Sequence, residues 1–149
     1  MPDRITIVSD FYRSGSEDGR LIRTRRGQLE YFVTMHYIHR CAKEGANVLE
    51  LGAGTGRYSA ALAKEDLDVT AVELVDSNFV VLRERAKGLK NLHAYQGDAL
   101  DLSRFADGSF DLTLVFGPMY HLYEPEDVHR AINEAIRVTK PGGVLLFAF

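Results

Sequence analysis

A short β-rich run, Ala46-Asn47-Val48-Leu49-Glu50-Leu51, passes without a break into Gly52-Ala53-Gly54-Thr55-Gly56 and then into a helical pattern. No other stretch restricts the fold as tightly. Strand, glycine turn, helix is the opening unit of an open α/β sheet, and such sheets take nucleotide-like ligands at the carboxyl ends of their strands. Glycine is needed there because the backbone turns sharply and approaches the ligand with no Cβ between them. The spacing narrows the ligand class. A dinucleotide turn reads G-x-G-x-x-G, with its third glycine where helix packs on strand. Counted from Gly52, that glycine falls on Arg57, and the pattern is G-x-G-x-G instead.

Further strands follow in rhythm. Asp68 to Val72 is a second β-rich run and ends at Glu73. An acid there, about 20 residues past the turn, is placed to accept hydrogen bonds from ribose hydroxyls. Leu92 to Tyr95 is a third run, leading to Gln96-Gly97-Asp98-Ala99. Phe110 to Phe116 is a fourth, after the turn Asp107-Gly108-Ser109. Thr139-Lys140-Pro141-Gly142-Gly143 closes a helix and opens a fifth, Val144 to Phe149. Between them, helices are expected over Gln28–Cys41, Arg57–Lys64, Ser77–Lys87 and Pro125–Val138. Ser77 is read as an N-cap and Gly88 as a stop. Leu29, Phe32, Val33, His36 and Tyr37 share one side of the first of these helices, and Val128, Ala131, Ile132, Ala135 and Val138 form a stripe on the last. Strands alternating with helices imply a parallel sheet with right-handed crossovers.

In this order the motifs resemble the class I S-adenosylmethionine-dependent methyltransferases. The resemblance rests on Val48 to Gly56, on Glu73, on Asp98 and on the Lys-Pro-Gly-Gly turn. It implies a doubly wound, Rossmann-like, mostly parallel sheet in the order 3-2-1-4-5, with S-adenosylmethionine as cofactor. It places Glu50, Gly52, Ala53, Gly54, Thr55 and Gly56 around the cofactor, with Glu73 and Leu74 at the ribose. Asp98 would meet the adenine amino group, the Ala99 amide a ring nitrogen, and Phe116 and Gly117 would lie beside the cofactor. Tyr12 and Arg26 match residues of a segment that closes over it. Tyr58 either faces the same pocket or packs the helix.

The acceptor would sit above the fourth strand, at Phe116-Gly117-Pro118-Met119-Tyr120-His121-Leu122. Tyr120 and His121 are the candidate catalytic residues. His121 is either a general base, its ordinary pKa lying near neutrality, or a donor to loop backbone, while Tyr120 contacts substrate or packs. Enzymes of this class that act on base amino groups carry Asp, Asn or Ser before Pro-Pro and an aromatic. Gly117-Pro118-Met119-Tyr120 lacks both the polar residue and the second proline. A small-molecule acceptor is therefore expected rather than nucleic acid.

Composition adds bounds. A chain of 149 residues with 46% hydrophobic residues suits one core, and a net charge of −3 exerts no global pull toward nucleic acid. Cys41 is the sole cysteine, so no internal disulfide forms and a cytoplasmic setting is expected. No apolar run approaches the length of a membrane span. No metal site is expected, since His36 and His39 lack a third ligand. Residues 1–45 read as a polar, arginine-rich arm and a helix, with Gly15, Gly19 and Gly27 as breakers and a charged start at Met1-Pro2-Asp3-Arg4. That segment is either a lid, a nucleic-acid patch or a solvated arm. Residues 46–149 read as the cofactor domain. The resemblance stops in the fifth strand, where relatives add a helix and two strands, so the chain is expected to be a fragment, or to pair through its apolar last strand with another copy. A module that binds cofactor without catalysis is the competing reading, and a nicotinamide dehydrogenase is opposed by the glycine spacing.

Overall fold

The structure, a computed structural model, describes residues 3–149; Met1 and Pro2 of the charged start lie outside it. In chain order it contains α1 (Arg4–Tyr12), a 3-10 turn (Ser16–Gly19), α2 (Arg25–Cys41), β1 (Asn47–Leu51), α3 (Arg57–Lys64), β2 (Asp68–Glu73) and α4 (Asp76–Ala86). There follow β3 (Leu92–Gln96), β4 (Phe110–Val115), a second 3-10 turn (Pro118–His121), α5 (Pro125–Val138) and β5 (Thr139–Phe147). The strands form one sheet in the order β3-β2-β1-β4-β5. Every neighbouring pair is parallel. The α/β architecture and strand order are those implied by the motif series.

The sheet is covered on both sides, and β1 shows how. Val48 packs with Met35 and Ile38 of α2, Leu62 of α3 and Leu82 of α4. Leu49 and Leu51, on the opposite side, join Leu102, Met119 and the α5 residues Ala131, Ala135 and Val138. Strands buried on both faces must be apolar almost throughout, which is why β1, β2 and β4 read as near-continuous hydrophobic runs.

Several boundaries differ from expectation. The arginine-rich start is not an irregular arm: Asp3 caps α1, its carboxylate accepting the Thr6 amide at 2.8 Å. Helix α2 begins three residues before Gln28, because the Thr24 hydroxyl accepts the Gly27 amide at 3.0 Å. Gly27 is thus a helix residue rather than a breaker. Ser77 is not an N-cap; α4 starts at Asp76, with Val75 in the cap position and no side-chain cap bond. β5 begins at Thr139 rather than Val144, since Lys140–Gly143 bulge out of its pairing with β4 between Phe110 and Leu112. β5 is an edge strand, as expected: β4 pairs with it along one side, and no strand lies beyond it among the described residues.

The largest departure concerns the face of α2. Gly27, Met35 and Ile38 are its buried residues. Leu29, Phe32, Val33 and Tyr37 point to solvent, exposed by 62%, 71%, 42% and 54%. Apolar periodicity alone would have turned the helix the other way.

Gly27 supplies a test of this packing. In an open helix, glycine to alanine gains about 1 kcal/mol. Here an added Cβ would stand 2.1 Å from the Arg20 carbonyl oxygen. Gly27→Ala is expected to lower the melting temperature, with a loss of about 1–3 kcal/mol from overpacking. A rise on thermal denaturation would refute this seating of α2 against residues 20 and 21.

Candidate active site

A cavity of about 670 Å³ opens at the carboxyl ends of β1, β2 and β4, with α1 across it. Its floor is set by Glu73, the last residue of β2 and 4% exposed. One carboxylate oxygen accepts the Gly54 amide at 2.7 Å, and the other the Val75 amide at 2.8 Å. Burial pushes the Glu73 carboxyl above its ordinary pKa, against these two amide donors and the Asn78 side chain. A carboxylate thus links the glycine turn after β1 to the turn before α4.

Glycine is required where two loops meet. Gly52 has φ +67°, and a Cβ on it would stand 2.5 Å from the Pro118 ring; one on Gly117 would stand 2.8 Å from the Gly52 carbonyl oxygen. The turn after β1 and the loop after β4 therefore touch backbone to backbone. This contact sets Phe116 and Gly117 on the cavity wall beside Ala53, Gly54 and Thr55. Gly56 is not on that wall. It opens α3 in the left-handed region, and a Cβ there would meet Leu82.

Glu50 lies on the α3 side of β1, fully buried, accepting a hydrogen bond from the Ser59 hydroxyl. Burial raises its pKa to about 7, Ser59 opposes the shift, and the charge on Glu73 adds to it. Among the described residues neither Glu50 nor Glu73 takes part in one of the salt bridges, which lie elsewhere. Glu17, Glu30 and Asp98 also line the cavity, but they are paired with Arg20 and Arg4 of the same lining. A pocket with two buried carboxyls lacking counter-ions suits a cationic ligand.

Asp98 and Ala99 reach the far end, as does Leu74. Asp98 is engaged: one oxygen accepts the Leu100 amide at 3.1 Å and the other pairs with Arg4 of α1. At the near end, the Tyr12 hydroxyl and His121 Nε2 are 2.8 Å apart, with Phe11 against the His121 ring. Burial, then the charge of Arg4, push His121 below its ordinary pKa, while burial pushes Tyr12 up to about 12. Tyr120 and Tyr123 also border the cavity, both exposed. Arg26 borders it from α2. Tyr58 does both things foreseen for it. It is buried, stacked on Tyr31 at 5.3 Å, and still borders the cavity.

Some lining residues had no motif to announce them. Arg4, Phe11 and Glu17 come from the segment before α2, and Asn78 from α4. Asp18 ties that segment down, taking Arg85 at 2.8 Å and Arg57 at 3.4 Å. Alternating charges, Arg4, Asp10, Arg13, Glu17 and Arg20, hid α1 and its turn as a polar arm. The sole signal was Asp3 three residues ahead of Thr6.

Comparison with known proteins fits this geometry. The "Methyltransferase domain" family profile matches residues 48–143, from β1 to the bulge of β5. The chain belongs to that methyltransferase family. Over 100 residues, 66% of the chain, it is 39% identical to the demethylmenaquinone methyltransferase of Clavibacter sepedonicus, covering 39% of that protein. An S-adenosylmethionine-dependent methyltransferase of Methanosarcina mazei superposes with a TM-score of 0.68 at 28% identity, over 74% of this chain and 55% of the other. The PH0226 protein of Pyrococcus horikoshii OT3 gives 0.79 at 25% identity, over 93% and 64%. The chain spans about two-fifths of the length of the curated relative it matches. The cofactor of this methyltransferase fold is S-adenosylmethionine, a sulfonium cation, in keeping with the two buried glutamates of the pocket.

Glu50 makes the electrostatics measurable. Its folded pKa is raised from 4.5 to about 7. Below the unfolded value both states carry the proton, and stability is at its fullest. As pH climbs toward about 7, the unfolded chain releases the proton more readily and stability falls. Glu50→Gln removes this titration while keeping an acceptor for Ser59. The ligand-free variant is expected to be more stable than the wild type at pH 8, by a few kcal/mol at most, and to melt with a flatter profile between pH 4.5 and 7. Thermal melts across that range that fall alike in both proteins would exclude a buried, titrating Glu50.

Proposed function

We propose that this chain carries the cofactor site and part of the acceptor site of a methyltransferase acting on a planar, aromatic small molecule of the quinol class. The observation that carries the methyl-transfer reading is the Glu73 carboxylate, hydrogen-bonded to the glycine turn and buried at the end of β2. The acceptor class is supported by the aromatic mouth of Phe11, Tyr12, Tyr120, His121 and Tyr123. It is supported too by the name of the Clavibacter sepedonicus relative, a demethylmenaquinone methyltransferase.

In this reading each part has a physical role. Bound S-adenosylmethionine supplies an electrophilic methyl group and its own leaving group. The Glu73 carboxylate accepts from ribose hydroxyls, Asp98 and the Ala99 amide take the nucleobase end, and the turn Gly52–Thr55 lies along the ligand. Glu50 and Glu73 lower the potential of the pocket for a cation. α1 and the Ser16–Gly19 turn act as the lid, with Tyr12 and, from α2, Arg26 excluding water. The protein's principal contribution to rate is alignment of the acceptor in line with the methyl group.

His121 takes the acceptor proton. Its lowered pKa keeps the ring neutral at working pH, so Nε2 has a free lone pair when the Tyr12 hydroxyl turns away. Tyr120 contacts the acceptor from the exposed side. Because His121 becomes protonated only below its ordinary value of 6.5, turnover should fall on the acid side of that pH and not near neutrality.

Two measurements test the reading. Calorimetric titration with S-adenosylhomocysteine is expected to show binding that Glu73→Ala abolishes in a chain that still folds. No binding by the folded wild type would favour a module that does not act alone. With a reduced naphthoquinone as acceptor, His121→Ala is expected to lower the rate by about 10²-fold or more, the usual worth of a general base, while S-adenosylhomocysteine affinity is unchanged. An unaltered rate would remove His121 from the chemistry.

A further inference from the structure

The solvent-facing side of α2 is built for something other than water. Leu29, Phe32, Val33 and Tyr37 recur at helical spacing on one side, all exposed. At 100° per residue, Arg25, Arg26, His36 and Arg40 fall within the same arc, and all four are exposed too. No acid lies in that arc. Glu30, the sole acid of α2, sits at its margin and is held by Arg20 at 2.6 Å. Arg25 and Arg40 are separated by roughly 22 Å along the axis, with the apolar residues between them.

Charge decides among occupants. A second copy packed antiparallel on this face would set Arg25 against Arg40 at both ends, and a parallel one would set like on like. Neither arrangement supplies a carboxylate. An apolar stripe bounded by arginines instead matches a surface that is apolar beneath and anionic above, the interface of a phospholipid bilayer. No helix of the described residues is long and apolar enough to cross a membrane. Lying on a membrane is a separate property, requiring one exposed apolar face rather than a continuous apolar helix.

We propose that the exposed face of α2 docks on an anionic phospholipid bilayer, with Leu29, Phe32 and Val33 entering the interface and Arg25 and Arg40 pairing with lipid phosphates. Arg26 and Glu30 lie on the cavity wall at the edge of the same helix. Docking therefore brings the cavity mouth close to the lipid surface. The assignment stands on the α2 face and is independent of methyl transfer, so it is measured without cofactor or acceptor.

The test is co-sedimentation of the purified chain with phosphatidylcholine vesicles, with and without phosphatidylglycerol. The wild type is expected to pellet with the phosphatidylglycerol vesicles only, and to be released by added salt. Arg25→Gln with Arg40→Gln should weaken binding about 25-fold, at about fivefold per arginine. Leu29→Ser with Phe32→Ser should abolish it. Both pairs should melt as the wild type does, because the replaced side chains are exposed. Absence of the wild type from the pellet, or retention of both substituted proteins, would overturn the proposal. So would a concentration-dependent dimer in light scattering that Leu29→Ser with Phe32→Ser dissolves, which would assign the face to a second copy.

Discussion

One carboxylate organises the ligand end of this molecule. Glu73 is buried, and a buried charge persists only where donors surround it. The donors here are backbone amides from two separate turns, Gly54 after β1 and Val75 before α4. Satisfying Glu73 therefore fixes both turns relative to the end of β2. The glycine turn, held in that position, can then press Gly52 against Pro118 and Gly117. The loop after β4, its 3-10 turn and His121 take their places from that contact. Removing the carboxylate would loosen three loops at once, although each lies in a different part of the sequence.

The second organising element is the segment before α2. Arg13 pairs with Asp10 and Arg20 with Glu17 along the chain, but other charges of the segment reach distant elements. Arg4 reaches Asp98, and Asp18 reaches Arg57 and Arg85. Exposed pairs of this kind contribute little stability singly. Their value lies in position. They seat α1 and the Ser16–Gly19 turn over the ligand end, so that Tyr12 meets His121 and an open crevice becomes a cavity.

Most of the sheet was legible beforehand, and the reason is local. A strand buried on both faces must be apolar, a turn at φ +67° selects glycine, and an acid at a strand end stands out from its neighbours. These are properties of a few adjacent residues. The missed features involve partners far apart in sequence. α1 and the turn after it looked like a polar arm, yet Arg4 and Asp18 are satisfied by residues 94 and 67 positions away. β5 seemed to start at Val144 because its first bonds, at Thr139, are separated from the rest by a bulge. Gly27 looked like a breaker because the close approach of Arg20 leaves no trace in the residues around it.

Residue order alone determined the alternation of strands and helices, the glycine turn and the acids at the ends of β2 and β3, because each follows from backbone geometry and burial over a short span; the strand order came from the family that these motifs resemble. The tertiary structure decided which face of α2 is buried. Periodicity announces a stripe but not its partner, and the sheet accepted Met35 and Ile38 while leaving Leu29, Phe32, Val33 and Tyr37 in solvent. It also decided that Tyr12 and His121 form one unit and that Arg4 holds Asp98, since residues about a hundred positions apart meet only when the sheet that carries them has closed.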